Sequence, residues 1–201
     1  MTPLDNFVSQ LQSNLSLIEA NFYIAFMIVA GLWMIHFVNG ILGMRLNWLG
    51  IYPRHVIGLV GIVFSPLLHG SFSHLFFNSI PLLVLICFVL VGGIAKFIYV
   101  TAIITALSGL AVWLMGRRAI HIGASSLVMG YWGYLLVDAI RNPSTMSVML
   151  AVVCVYYFGG LIFSLFPEEE RVSFEGHIFG FLAGIATSYI IPLMALRGYF
   201  Q

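Results

Sequence analysis

The chain has 201 residues and a formal net charge of +1, and 61% of its residues are hydrophobic while only 7% are charged. Soluble domains carry about 25% charged residues, so this composition excludes a water-exposed globular protein and predicts a polytopic membrane protein. A net charge this close to zero gives no reason to expect nucleic acid as a partner. The two cysteines, Cys87 and Cys154, both lie deep in apolar runs, which favours packing over a disulfide or a metal pair.

The N-terminal third of the chain has three parts. Residues 1–20 are polar with scattered apolar side chains, and we expect a short interfacial segment there. Residues 21–42 form the first candidate transmembrane helix, with about the 20 residues that a bilayer requires. Residues 42–73 remain apolar but are interrupted by arginine, histidine and proline. We therefore predict that this segment lies in the membrane interface and is partly embedded.

Five more apolar stretches follow, over residues 74–93, 97–115, 125–140, 144–166 and 174–196. At 1.5 Å per residue, 125–140 would span roughly 24 Å, less than the ~30 Å of a hydrocarbon core. We expect this helix to begin below the membrane surface, after a loop that dips in and is shielded by protein or faces a water-filled cavity. The prediction is an all-α membrane domain with six transmembrane helices over residues 21–201.

Unusual polar residues lie at the starts of the second, fourth and sixth of these helices. They are His74 and Asn78, then Ser125, then His177. Helices two, four and six run in the same direction, so these residues should meet at one membrane face. Ionisable side chains inside a membrane are costly and usually functional. The meeting of several such residues at one membrane face indicates a functional site.

The residue types suit acyl transfer. Ser125 is a candidate nucleophile, and His177 is a candidate general base with an ordinary pKa near 6.5. Free backbone N–H groups at a helix start can bind an oxyanion. His74 and Asn78 are four residues apart, hence on one helix face, and both can donate hydrogen bonds to developing negative charge.

Other interpretations compete with this one. A single serine at a helix start is usually an N-cap, and a single intramembrane histidine often bonds across helices. A membrane metalloenzyme could use His69, His74 and His177, since three histidines can make a catalytic zinc site, but it leaves Ser125 unexplained. A non-catalytic protein that binds client helices is the third possibility.

The motifs resemble those of the rhomboid intramembrane serine proteases over roughly residues 20–200. The matching stretches are Pro53-Arg54, Gly58-Leu59, His69-Gly70, His74-Leu75-Phe76-Phe77-Asn78, Gly123-Ala124-Ser125-Ser126 and His177-Ile178-Phe179-Gly180 with Gly184. The resemblance implies a six-transmembrane-helix, rhomboid-like bundle whose first loop lies half in the membrane. It implies no cofactor and no metal, a multi-pass location in a bacterial inner membrane, and single-pass transmembrane proteins as substrates.

The same resemblance implies roles for individual residues. Ser125 and His177 would form a catalytic dyad, and His74, Asn78 and the Ser125 N–H would form the oxyanion site. His69 would help to hold the cavity and its water. Supporting positions are Gly123, Met129, Gly180 and Gly184.

The sequence departs from the family pattern at two places. Ser126 stands where the family usually has glycine after the nucleophile, and Met129 stands where many members have an aromatic residue under the histidine. Glu175 is the acidic residue nearest His177, but positions two apart on a helix do not face each other. We therefore predict a dyad, with Glu175 at the positive end of its helix.

Overall fold

The computed structural model of the protein describes residues 3–165 and 174–196. Its α-helices are α1 (Pro3–Ile41), α2 (Gly61–Phe64), α3 (Phe72–Leu90), α4 (Ile94–Met115), α5 (Ser125–Arg141), α6 (Thr145–Phe158) and α7 (Phe174–Leu196). Short 3-10 stretches cover Arg45–Leu49, Val56–Leu59, Ser65–Leu67 and Gly159–Leu165. No strand occurs within these described ranges, so the predicted all-α class is confirmed.

Within the described part of the chain, five helices are long and apolar enough to cross a membrane. They are Val8–Ile41, Phe72–Leu90, Ile94–Met115, Thr145–Phe163 and Phe174–Leu196. Helix α5 has 17 residues, fewer than any of these, and it begins at Ser125 as predicted. The polytopic bundle therefore combines five helices of full length with one short helix.

Several helix boundaries differ from the prediction; α3 ends at Leu90 instead of residue 93, and α4 begins at Ile94 instead of residue 97. Helix α1 is continuous from Pro3, so residues 3–20 extend the first transmembrane helix; the division of the chain at residue 20 stays a prediction. Helix α3 begins at Phe72 because the Ser71 hydroxyl caps it, accepting from the His74 backbone N–H at 3.1 Å. Helix α6 gives way to 3-10 structure after Phe158, and its predicted end at Phe166 lies outside the described residues.

Apart from α2 and three 3-10 stretches, the segment between α1 and α3 is irregular, and it contacts the end of α4 and the loop between α4 and α5. Ile51 and His121 exchange two backbone hydrogen bonds, of 3.0 and 2.9 Å, as an isolated antiparallel bridge. The Arg54 N–H donates to the Trp113 carbonyl at 2.9 Å. These contacts pair the backbone of the α4–α5 loop with protein, as irregular backbone at membrane depth requires.

Helix α5 lies at the centre of the bundle and has its largest helix interface with α7. A Cβ placed on Gly184 would lie 2.0 Å from the Gly130 carbonyl oxygen, and one on Gly133 would lie 2.7 Å from the Phe181 carbonyl oxygen. Contacts this short leave no room for a side chain. The two helices run parallel with their backbones touching, as glycine-rich membrane helices do.

Candidate active site

The two residues that precede α5 form hydrogen bonds with the segment before α3. The Gly123 N–H donates to the Ser65 carbonyl at 2.9 Å, and the Ala124 N–H donates to His69 Nε2 at 3.3 Å. Gly123 has a φ of +123°, which L side chains rarely adopt. The glycine therefore sets the backbone path that leads into Ser125.

His74 and Asn78 on α3 face the same point. A Cβ placed on Gly123 would lie 2.7 Å from both Nε2 and Cε1 of His74, and 3.7 Å from Nδ2 of Asn78. The absence of a side chain at Gly123 thus makes room for the His74 ring, with the Asn78 amide next to it. The structure brings His74, Asn78 and the entrance to α5 together, as the spacing predicted.

The amide of Asn78 is buried and unpaired. Asn78 is 9% exposed, and its Nδ2 has no hydrogen-bond partner within residues 3–165 and 174–196. A buried donor without a partner costs about 1–3 kcal/mol. Such a donor is therefore available to any negatively charged oxygen that forms beside Gly123.

His69 lies behind His74, with ring centroids 5.1 Å apart in an edge-on arrangement. Burial, and secondarily the nearby His74 and His36, lower the pKa of His69 to about 3. The ring is therefore neutral at physiological pH. Neutrality is also what its Nε2 needs to accept the Ala124 N–H.

Helix α7 brings His177 to the same end of α5. A Cβ placed on Gly180, about one turn after His177, would lie 2.3 Å from the Ser126 carbonyl oxygen. The α7 backbone therefore touches the α5 backbone directly after Ser125. Both Ser125 and His177 are partly exposed, so each can be reached from outside the protein core.

Comparison with known proteins places the chain in a family. The family model for the Rhomboid domain matches residues 56–193. The chain belongs to the rhomboid family. Uncharacterized proteins of Mycobacterium bovis and Mycobacterium tuberculosis are each 35% identical to it over 172 residues, covering 81% of this chain and 72% of the relative. One from Mycobacterium leprae is 31% identical over the same length, covering 81% of this chain and 68% of the relative.

Rhomboid proteins are in general intramembrane serine proteases. The two residues of this rhomboid that the sequence analysis found to differ from the family pattern are Met129 and Ser126. Met129 is 1% exposed and lies within the hydrophobic core that joins all six long helices, α1 and α3 to α7. Ser126 is partly exposed, and its carbonyl faces Gly180 on α7. Since α7 meets the main chain at Ser126, that residue is part of the helix contact.

Glu175 has a partner in this rhomboid that the sequence analysis missed. Its Oε1 accepts from the Arg117 backbone N–H at 3.3 Å and lies 3.5 Å from Arg117 Nε. The carboxylate is therefore directed to the loop after α4, tying the first turn of α7 to the chain that leads to Ser125. The only available signal was that Arg117 and Glu175 stand at the same predicted membrane face.

The metal-site alternative has no support in this geometry. Among the residues that the structure describes, no group of three or more histidine, cysteine, aspartate or glutamate side chains is placed to hold a metal ion. His69 Nε2 is already the acceptor for the Ala124 N–H. A zinc ion there would have to displace the hydrogen bond that positions the entrance to α5.

Proposed function

We propose that this rhomboid is an intramembrane serine endopeptidase that uses Ser125 as nucleophile and His177 as general base. The observation that carries the proposal is the enclosure of the α5 N-terminus. His74 and Asn78 border it on one side, and the α7 turn after His177 touches it on the other. A nucleophile, a base and hydrogen-bond donors around one point are the parts of an acyl-transfer site.

The reaction would follow the order of a serine protease. Ser125 Oγ attacks the scissile carbonyl carbon while His177 accepts its proton. The resulting oxyanion receives hydrogen bonds from Asn78 Nδ2, His74 and the Ser125 backbone N–H. His177 then gives the proton to the leaving amine, and a water deprotonated by His177 hydrolyses the acyl-enzyme.

Substrates would be single-pass membrane proteins cut in or beside their transmembrane helix, in a bacterial inner membrane. Two features support this class. The first is the family membership, and the second is a site at the start of a helix that is shorter than its apolar neighbours. A recessed serine of this kind can be reached by a peptide bond from the bilayer and by water from the aqueous side.

Serine-directed labelling tests the proposal. Purified protein is treated with a fluorophosphonate probe, the modified residue is mapped, and cleavage of a transmembrane reporter is measured in matched detergent. Ser125→Ala should abolish labelling and lower activity by about three orders of magnitude, as loss of a nucleophile does. EDTA and phenanthroline should have no effect.

Ser126→Ala is the matched control, because it removes a hydroxyl from the adjacent residue. It should retain most of the activity and all of the labelling. An inactive Ser126→Ala with an active Ser125→Ala would place the nucleophile one residue later. Absence of both labelling and cleavage in the wild type would favour the client-binding alternative.

A further inference from the structure

A cavity lies at the other end of α5, away from Ser125. It has a volume of about 350 Å³, within the range of small-molecule sites. Its walls come from the last turns of α3 and α5 and the first turns of α4 and α6. Because α3 and α5 start at the candidate active site, this cavity opens at the opposite membrane face.

The polar side of the cavity is centred on Lys96. Its Nζ lies 3.7 Å from Asp138 Oδ2 and 5.7 Å from the centre of the Tyr134 ring. Asn142 Nδ2 donates to the other oxygen of Asp138 at 2.9 Å. The carboxylate thus has two partners of its own, and the ammonium group retains capacity for a further anionic contact.

Tyr134 supplies an unsatisfied group at this cavity. The residue is 1% exposed, and its hydroxyl has no hydrogen-bond partner among the residues that the structure describes. A buried tyrosine hydroxyl normally finds a partner, and leaving one unpaired costs about 1–3 kcal/mol. Because Tyr134 is part of the cavity wall, a bound ligand would supply the missing partner.

Helix α6 adds positive potential. Ser144 caps it, with reciprocal hydrogen bonds to Ser147, and Ser144, Met146 and Ser147 all line the cavity. The N-terminus of a helix carries partial positive charge and binds anions such as phosphate. The remaining wall is apolar and is formed mainly by Phe88, Val89, Leu135 and Leu150.

We propose that this cavity binds the headgroup of a membrane phospholipid. Lys96, the Tyr134 hydroxyl and the first turn of α6 would contact the phosphate, and the apolar wall would contact the glycerol and upper acyl region. A pocket between transmembrane helices that combines a cation with apolar walls at a membrane face suits such an amphiphile. The proposal is independent of proteolysis, because the cavity contains none of the candidate catalytic residues.

The sequence allows a direct measurement, because Lys96 is the only lysine of the chain. Protein in maltoside detergent is acetylated with an N-hydroxysuccinimide ester, and modification of Lys96 is followed by peptide mass spectrometry. Dioctanoyl phosphatidylglycerol or phosphatidylethanolamine should slow the reaction about tenfold at ten times Kd, since only the unbound protein reacts. Dioctanoylglycerol, which lacks phosphate, should give no protection.

Tyr134→Phe removes only the unpaired hydroxyl. It should weaken the binding of the protecting phospholipid about two- to tenfold, which is the effect of one hydrogen bond. Tyr156→Phe is the matched control, since Tyr156 is 80% exposed on α6 and does not line the cavity. Lys96→Gln should lose the rise in unfolding temperature that phospholipid gives the wild type.

Three outcomes would overturn the proposal. They are equal protection by dioctanoylglycerol, no protection by any lipid, and wild-type affinity in Tyr134→Phe. Glycerol 3-phosphate that protects as well as phospholipid would assign the anion site to a soluble ester and exclude the lipid.

Discussion

Two features of single residues mark the candidate site: a glycine whose lack of a side chain makes space, and a buried donor without a hydrogen-bond partner. Gly123 leaves the space that the His74 ring occupies, and Asn78 keeps an unpaired buried Nδ2. His69, by contrast, is already engaged by the protein, because its Nε2 accepts a hydrogen bond from the Ala124 N–H. These differences separate a residue expected to act on substrate from one expected to hold the backbone.

Asn78→Ala should lower the rate of reporter cleavage by about 10²–10³, the usual cost of losing one oxyanion donor. The unfolding temperature in detergent should change little, because the Nδ2 group forms no hydrogen bond in the described structure. Initial rates and thermal unfolding of the same preparations provide the test. A variant that loses stability in proportion to activity would indicate a packing role for Asn78.

His69 should make the stability depend on pH. The pKa of His69 is lowered to about 3, so between pH 6.5 and 3 the unfolded chain binds a proton that the native protein does not. Stability should therefore fall as the pH falls through this window, by up to about 1.4 kcal/mol per pH unit from this residue.

His69→Gln provides the comparison for this pH dependence, because glutamine can still accept from the Ala124 N–H but does not titrate. Unfolding free energies of both proteins are measured from pH 7.5 to 4.5. The difference between the two curves should grow toward acid. Parallel curves would show that His69 is not the residue that couples protonation to unfolding.

At the scale of elements, the contact between α5 and α7 decides whether Ser125 and His177 can meet. Gly180 and Gly184 on α7 touch the α5 backbone at Ser126 and Gly130, so the two helices are in register along two turns. The segment between α1 and α3 then fixes the loop before α5 through the Ile51–His121 bridge. These backbone contacts position the site together with the side chains of His69 and Glu175.

Gly184→Ala should force these helices apart, because its Cβ would lie 2.0 Å from the Gly130 carbonyl oxygen. We expect a loss of about 1–3 kcal/mol in stability, as for overpacked cores, and a strong loss of cleavage activity. Gly31→Ala on α1 is the matched control, since no atom lies within 4 Å of its added Cβ. It should keep full activity and gain roughly 0.5–1 kcal/mol from the better helix propensity of alanine.

Unfolding and cleavage of the two glycine variants are compared in one detergent. Equal behaviour of Gly184→Ala and Gly31→Ala would contradict the close packing of α5 on α7.

The whole molecule has two different ends. The candidate active site lies at the end where α3, α5 and α7 begin, and the Lys96 cavity lies at the other end. The resemblance to the family implies that both termini, and hence the end opposite the site, face the cytoplasm. Arginines are concentrated at the site end, and by the positive-inside rule this would place the site end in the cytoplasm instead. Two of them are engaged by protein, since Arg54 donates to the Leu114 carbonyl at 3.2 Å and Arg117 pairs with Glu175.

We predict that the site end faces the outside of the cell, as in the family. Single cysteines introduced as Arg118→Cys and Thr145→Cys report the two ends, because both positions are exposed while Cys87 and Cys154 are buried. A membrane-impermeant maleimide should label Arg118→Cys in intact spheroplasts and Thr145→Cys only after permeabilisation. The reverse pattern would establish the orientation that the arginine count favours.

The sequence by itself determined the fold class and most helix positions, because a bilayer imposes apolar segments of known length. The short helix beginning at Ser125 and the helical stretch over residues 174–196 agree with the prediction. The candidate residues were also predictable, since polar groups stand out in apolar segments and parallel helices bring their starting ends together.

Only the tertiary structure decided which contacts join the helices and loops to one another. The pairing of Glu175 with Arg117, the Ile51–His121 bridge and the hydrogen bond from Ala124 to His69 join residues distant in sequence. No local pattern predicts them, because a membrane segment reveals its length and polarity but not which surface of another helix it meets. The physical reason is that glycine contacts, loop pairing and buried donors depend on the geometry of packed backbones.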